Sequence, residues 1–100
     1  MVSKGAVLAT LMLAAAPAAA QTSAPANAPP GAAACSGCHP PAAVAGIVVP
    51  PLNGRPAAEI VTAMAAFRSG QKPATVMDRI AKGFTDDEIG AIATWLAAQK

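Results

Sequence analysis

The sequence predicts an all-α fold with three main helices. Two segments, residues 55–70 and the stretch that follows Thr85, carry apolar residues at helical spacing. A third, short helix is expected over the compact motif at residues 35–39. No segment has the alternating β-branched pattern of a convincing strand.

Residues 1–20 have the layout of a secretory signal peptide. Lys4 precedes an apolar run over residues 6–16, and Pro17 and three alanines follow it. The run is shorter than the roughly 20 residues that span a bilayer. We therefore expect cleavage after Ala20, export to the periplasm and no membrane span in the mature chain. The alternative is an uncleaved anchoring or amphipathic N-terminus, which would also place the rest of the chain across a membrane.

The next segment, residues 21–30, is predicted to be a flexible tether. It is rich in proline and alanine and has no large apolar side chain to bury. Residues 31–100 remain for one folded domain, and a domain of that size usually needs a disulfide, a metal or a large cofactor. The net charge of the whole chain is +2 without any basic run, which gives no indication of nucleic-acid binding.

Residues 35–39, CSGCH, contain both cysteines and the only histidine of the chain. A disulfide between Cys35 and Cys38 would close a very small loop and act as a redox pair, but the usual C-x-x-C redox motif lies in a βαβ context that is missing here. A structural zinc ion prefers four nitrogen or sulfur ligands, and the motif offers three.

The third interpretation, which we favour, is c-type haem attachment through C-x-x-C-H. Two thiols three positions apart on a helical turn can form thioethers with the two vinyl groups of one haem, while His39 offers its imidazole to the iron as proximal ligand. The expected export of the chain agrees with covalent haem attachment. The other ring N–H needs an acceptor, and we expect a backbone carbonyl near Ile47 or Val48.

The two longer helices have recognisable ends. Pro56 suits a first helical position, and Ser69 and Gly70 are expected to end that helix. Thr85 and Glu88 match a capping box for the second helix. The predicted apolar faces are Ile60, Val61, Met64 and Phe67 on the first helix and Ile89, Ile92, Ala93 and Leu96 on the second, with Trp95 adjoining.

The loop-like segment between these helices contains Met77, our candidate for a second axial ligand. A thioether is a natural partner for histidine at an electron-transfer haem. Met64 is a weaker candidate because it lies in an apolar helix stripe, where methionine usually fills core space. An open sixth position is the remaining alternative. Four cations are candidate partners of haem propionates or plain surface charges: Arg55, Lys72, Arg79 and Lys82.

Four segments together resemble the small single-haem class I cytochromes c of bacteria, and most closely the cytochrome subunit of flavocytochrome c sulfide dehydrogenase. These segments are CSGCH, PPLNG, AAFRSG and TVMDRIAKGFTDDEIGAIATWLA, and the resemblance covers residues 34–97. It implies the small class I cytochrome c fold around one covalent haem c. It also implies thioether bonds at Cys35 and Cys38, with His39 and Met77 as iron ligands.

The function implied by the resemblance is one-electron transfer in the periplasm by a protein that is not itself an enzyme. Its partners would be other redox proteins. As a free carrier it would exchange electrons with membrane complexes and soluble oxidases or reductases. As a subunit it would accept electrons from the flavoprotein subunit of a sulfide dehydrogenase. The alternative, a haem with an open sixth position, would act as a gas sensor or a weak peroxidase.

Overall fold

The computed structural model describes residues 5, 14–16 and 27–100, and in these residues the regular structure is entirely α-helical. The all-α prediction is therefore confirmed. The predicted signal peptide, apart from residues 5 and 14–16, and the first six residues of the predicted tether lie outside the described part. No helix in the described part is long and apolar enough to cross a membrane. The four helices are α1 (Ala32–Ser36), α2 (Ala57–Ser69), α3 (Met77–Ala81) and α4 (Asp86–Ala97).

Helix α2 begins one residue later than predicted, because Pro56 is its N-cap with an extended ψ of 131°. It ends as predicted at Gly70, whose φ of 79° is left-handed and whose N–H donates to the Phe67 carbonyl at 3.3 Å. Of the predicted apolar stripe, Ile60 is buried, whereas Val61 is 41% exposed. The buried stripe is therefore narrower than the sequence pattern indicated.

Helix α4 begins with the predicted capping box. The Glu88 N–H donates to Thr85 Oγ1 at 3.2 Å, and the Thr85 N–H donates to Glu88 Oε2 at 2.8 Å. Both bonds use backbone donors that have no partner within the helix. The predicted apolar face is buried in full, at Ile89, Ile92, Ala93 and Leu96.

The core lies where α1, α2 and α4 meet. Its central cluster of buried residues consists of Ala32, Ile60, Ile92, Ala93 and Leu96, and Phe84, Met64 and Trp95 are among the partly buried side chains that pack against it. The small residues Ala32 and Ala93 are fully buried and let the helices approach closely. Helix α3 packs on α2 and buries Ala81.

Two glycines fix how the connecting segments meet this core. Gly31, immediately before α1, has a φ of 87°, and a Cβ at this position would lie 2.7 Å from Cε1 of Phe84. Gly54 has a φ of 75°, and its N–H donates to the Leu96 carbonyl at 2.9 Å. A side chain is therefore poorly tolerated at position 31 on both conformational and steric grounds.

Candidate cofactor site

A largely apolar cavity of about 620 Å³ lies between the helices and the loop that precedes α2. This volume is within the range of roughly 300–1,000 Å³ that is typical of small-molecule and cofactor sites. All four residues predicted as attachment or ligand positions line it, although they come from two distant segments: Cys35, Cys38, His39 and Met77.

The CSGCH motif reaches the cavity because the chain keeps turning after α1 ends at Ser36. The N–H groups of Cys38 and His39 both donate to the Cys35 carbonyl, at 3.2 and 2.9 Å. Cys35 is half-buried and Cys38 is exposed, and both thiols are free. Burial raises the pKa of the Cys35 thiol, and a hydrogen bond to backbone opposes part of that increase.

The imidazole of His39 is held by the loop on the other side of the cavity. Its Nδ1 lies 2.6 Å from the Pro50 carbonyl oxygen. A carbonyl can only accept, so Nδ1 carries the proton and donates it, which leaves Nε2 with a free lone pair. This is the arrangement that metal-ligating histidines commonly have.

The expected acceptor near Ile47 or Val48 is wrong. The Ile47 N–H donates to the Val44 carbonyl at 3.1 Å and closes a turn, while the side chain of Val48 is 96% exposed. The carbonyl that meets His39 is instead that of Pro50, which follows this turn.

Met77 is the first residue of α3, in a segment that we predicted to be loop-like. The sequence analysis therefore missed a five-residue helix. Met77 lies at the start of that helix and is half-buried on the cavity wall. Met64 also lines the cavity, but it packs against the core cluster as well. Among residues 27–100 no three His, Cys, Asp or Glu side chains form a group that could hold a metal ion.

The four predicted cations divide into two pairs. Arg55 and Lys72 line the cavity, and Lys72 Nζ lies 5.1 Å from the centroid of the Phe67 ring. Arg79 and Lys82 are exposed and do not line the cavity. Only the first pair is positioned to meet an anionic group of a bound cofactor.

The sequence analysis missed Arg68, the basic residue in the last turn of α2. Its Nη2 donates to the Phe84 carbonyl at 2.7 Å, its Nε donates to the Ala81 carbonyl at 3.4 Å, and its Nη1 pairs with Asp86 Oδ1 at 2.5 Å. In the sequence it resembles any cation that suits a helix C-terminus. Its partners lie 13–18 residues away, beyond the reach of local patterns.

These residues fit a haem. The cavity offers an apolar enclosure for a flat cofactor, two thiols on one turn, an imidazole with a free Nε2, and a thioether from another helix. Four helices contribute residues to this cavity, which is consistent with the predicted all-α fold of a small cytochrome.

Comparison with curated proteins then gives a particular relative, the cytochrome subunit of sulfide dehydrogenase of Chlorobaculum tepidum. It is 39% identical over 61 residues, which are 61% of this chain and 56% of the relative. The chain thus spans just over half the length of that protein. The predicted resemblance is confirmed by this match, while no protein-family model matches the chain.

Proposed function

We propose that this chain is a one-electron carrier that holds one covalently attached c-type haem. The observation that carries the proposal is the convergence of both thiols of CSGCH and the imidazole of His39 on one apolar cavity. The hydrogen bond from His39 Nδ1 to Pro50 supports it further, since it turns the unprotonated Nε2 into a good ligand.

The cofactor supplies an iron centre that gains and loses one electron when it is bound. The chain's own residues set the conditions for that exchange. Cys35 and Cys38 would hold the haem covalently, while the Pro50 carbonyl fixes the tautomer of His39 and raises its basicity. Met77 would supply a soft thioether, which favours the reduced iron and raises the potential. The apolar wall keeps water from the site.

The similarity to a cytochrome subunit of sulfide dehydrogenase supports a place for the chain beside a sulfide-oxidising flavoprotein, from which it would accept electrons. In this role the chain is an electron-transfer component without catalytic residues of its own. Periplasmic location is part of the proposal, and residues 1–20 support it with their signal-peptide layout. Purification of the chain from its native cell tests both points: a flavoprotein should accompany it, and the mature chain should begin at Gln21.

The proposal is tested most directly by the spectrum of the haem-loaded protein. The ferric form should show the weak far-red absorption band that accompanies sulfur ligation, and the reduced form should bind carbon monoxide only slowly. Met77→Ala should abolish the band and admit carbon monoxide promptly, because the sixth position becomes open. Met64→Leu, at the other methionine of the cavity wall, is the matched control and should leave both properties unchanged.

Prompt binding of carbon monoxide to the unmutated protein would contradict the proposal and favour the ligand-binding alternative, a gas sensor or a weak peroxidase. A band that survives Met77→Ala but disappears in Met64→Leu would assign the ligand to Met64 instead. Either result would leave covalent attachment through Cys35 and Cys38 as a separate question, which mass spectrometry of the denatured protein answers.

A further inference from the structure

We infer that Arg68 is a positioning residue for Met77, acting through α3. This inference rests on the proposed ligation by Met77. Arg68 lies at the C-terminal end of α2 and reaches two carbonyls, those of Ala81 in the last position of α3 and Phe84 in the turn that follows. Both carbonyls belong to residues 77–84, the segment that begins at Met77.

Helix α3 is too short to be stable alone. A helix of five residues lies far below the roughly 12–15 residues at which isolated helices become marginal in water. It therefore depends on contacts with α2. Ala81 is the one fully buried residue of α3, whereas Met77 is half-buried and Ile80 is 38% exposed.

Arg68 is also the only side chain of residues 27–100 that donates a hydrogen bond to any residue from 77 to 84. Asp78, next to Met77, gives α3 no comparable anchor, because its buried Oδ1 has no hydrogen-bond partner in this part of the chain. The guanidinium fork thus provides the polar attachment of the Met77 segment to α2. Hydrogen bonds from a charged donor are also stronger than neutral ones.

The pair with Asp86 is the lesser part of this arrangement. The Asp86 side chain is 92% exposed, whereas that of Arg68 is 34% exposed, and exposed ion pairs contribute little. The hydrogen bonds from Arg68 to the two carbonyls are partly buried. Arg68 therefore has two separable roles, the ion pair with Asp86 and the hydrogen bonds to the two carbonyls. Asp86→Asn removes the ion pair and keeps the hydrogen bonds.

The test compares Arg68→Gln, Arg68→Lys and Asp86→Asn in the haem-loaded protein. In Arg68→Gln the far-red band should disappear on heating before the helical circular dichroism is lost, and carbon monoxide should bind the reduced protein on the order of tenfold faster. A factor of that size corresponds to loss of about one charge-assisted hydrogen bond from the state in which α3 is held on α2. Arg68→Lys should show a smaller effect, and Asp86→Asn almost none.

The matched control is Ala93→Gly, which weakens a core cluster that contains no residue of α3 and lies at a position that does not line the cavity. In this variant the far-red band and the circular dichroism should be lost together. If Arg68→Gln behaves in the same way, with an unchanged rate of carbon monoxide binding, Arg68 has only a general structural role and the inference is overturned.

Amide hydrogen exchange separates this failure from failure of the proposed function. Residues 80–84 should exchange faster in Arg68→Gln than in Ala93→Gly at equal global stability, whatever ligates the iron. If the unmutated protein lacks a band that depends on Met77, the ligation proposal fails and this inference fails with it. If that band is present but exchange at residues 80–84 is unchanged, only the inference fails.

Discussion

The two sides of the candidate site are held in different ways. The proximal segment, residues 35–39, lies on a single continuing turn, and among the described residues its one side-chain hydrogen bond to another segment joins His39 to the Pro50 carbonyl 11 residues later. The distal segment, residues 77–84, contains a short helix that depends on α2 and on the fork of Arg68. One side is thus local in sequence, and the other exists only when the fold is complete.

This difference suggests a division of labour. Attachment chemistry on the proximal segment can proceed on a nearly unfolded chain, because Cys35, Cys38 and His39 are already neighbours. The proposed ligation by Met77 would require α2 and α3 to pack first. The identity of the cofactor would therefore be set by the proximal segment, and its coordination state by the quality of packing on the distal side.

The largest expected effect comes from breaking the proximal side with Cys35→Ala together with Cys38→Ala. The protein should lose covalent haem and its cooperative fold, because a domain of this size supplies no more than roughly 3–5 kcal/mol without a staple and this one surrounds a large cavity. Haem staining of a denaturing gel and far-ultraviolet circular dichroism measure the two losses.

Ser36→Ala, inside the same pentapeptide, is the control and should keep both haem and fold. On the distal side Met77→Ala should also remain folded, since it removes only one proposed ligand. A well-folded, haem-free double variant would show that the two sides are equally dispensable for folding. It would contradict the proposed difference between the proximal and distal segments.

An intermediate loss of stability is expected at Gly31, which lies immediately before α1 and the proximal segment. Gly31→Ala should lower the free energy of unfolding by roughly 1–3 kcal/mol, because alanine is strained at positive φ and its Cβ would overlap Phe84. Denaturant unfolding measures it. Gly90→Ala is the matched control, since nothing lies within 4 Å of its added Cβ, and it should raise the stability by about 0.5–1 kcal/mol.

The smallest expected effect is at the start of α4, beside the distal segment. Thr85→Ala removes the side-chain acceptor of the capping box and should cost about 1 kcal/mol in the free energy of unfolding. Thr94→Ala is the control, because its Oγ1 only donates to the Gly90 carbonyl within the helix, and stability should stay within about 0.5 kcal/mol. An equal loss in both variants would argue against a specific role of the cap.

Features encoded within a few residues were predictable. The capping box of Thr85 and Glu88, the glycine end of α2 and the buried face of α4 all follow from local patterns, and the structure has each of them. The all-α fold follows from the same patterns. The CSGCH motif is likewise local, so the prediction of haem attachment at Cys35, Cys38 and His39 can be made from the sequence alone.

Features that depend on tertiary contacts were not predictable. Helix α3 has no side-chain cap and only five residues, so packing on α2 rather than intrinsic propensity accounts for it. The acceptor for His39 was placed too early because a turn at residues 44–47 changes the path of the loop. Arg68 was missed because two of its three partners are backbone carbonyls, which any residue provides and no sequence pattern marks.

Phe84 lies against two separate parts of the molecule, Gly31 before α1 and Arg68 at the end of α2. Its ring occupies the space that a side chain at position 31 would need, and its carbonyl receives the strongest of the hydrogen bonds from Arg68 to backbone, judged by length. Positions 31 and 84 should therefore covary among related sequences. A side chain at 31 should be found with a smaller residue at 84, and Phe84→Leu should rescue part of the loss caused by Gly31→Ala.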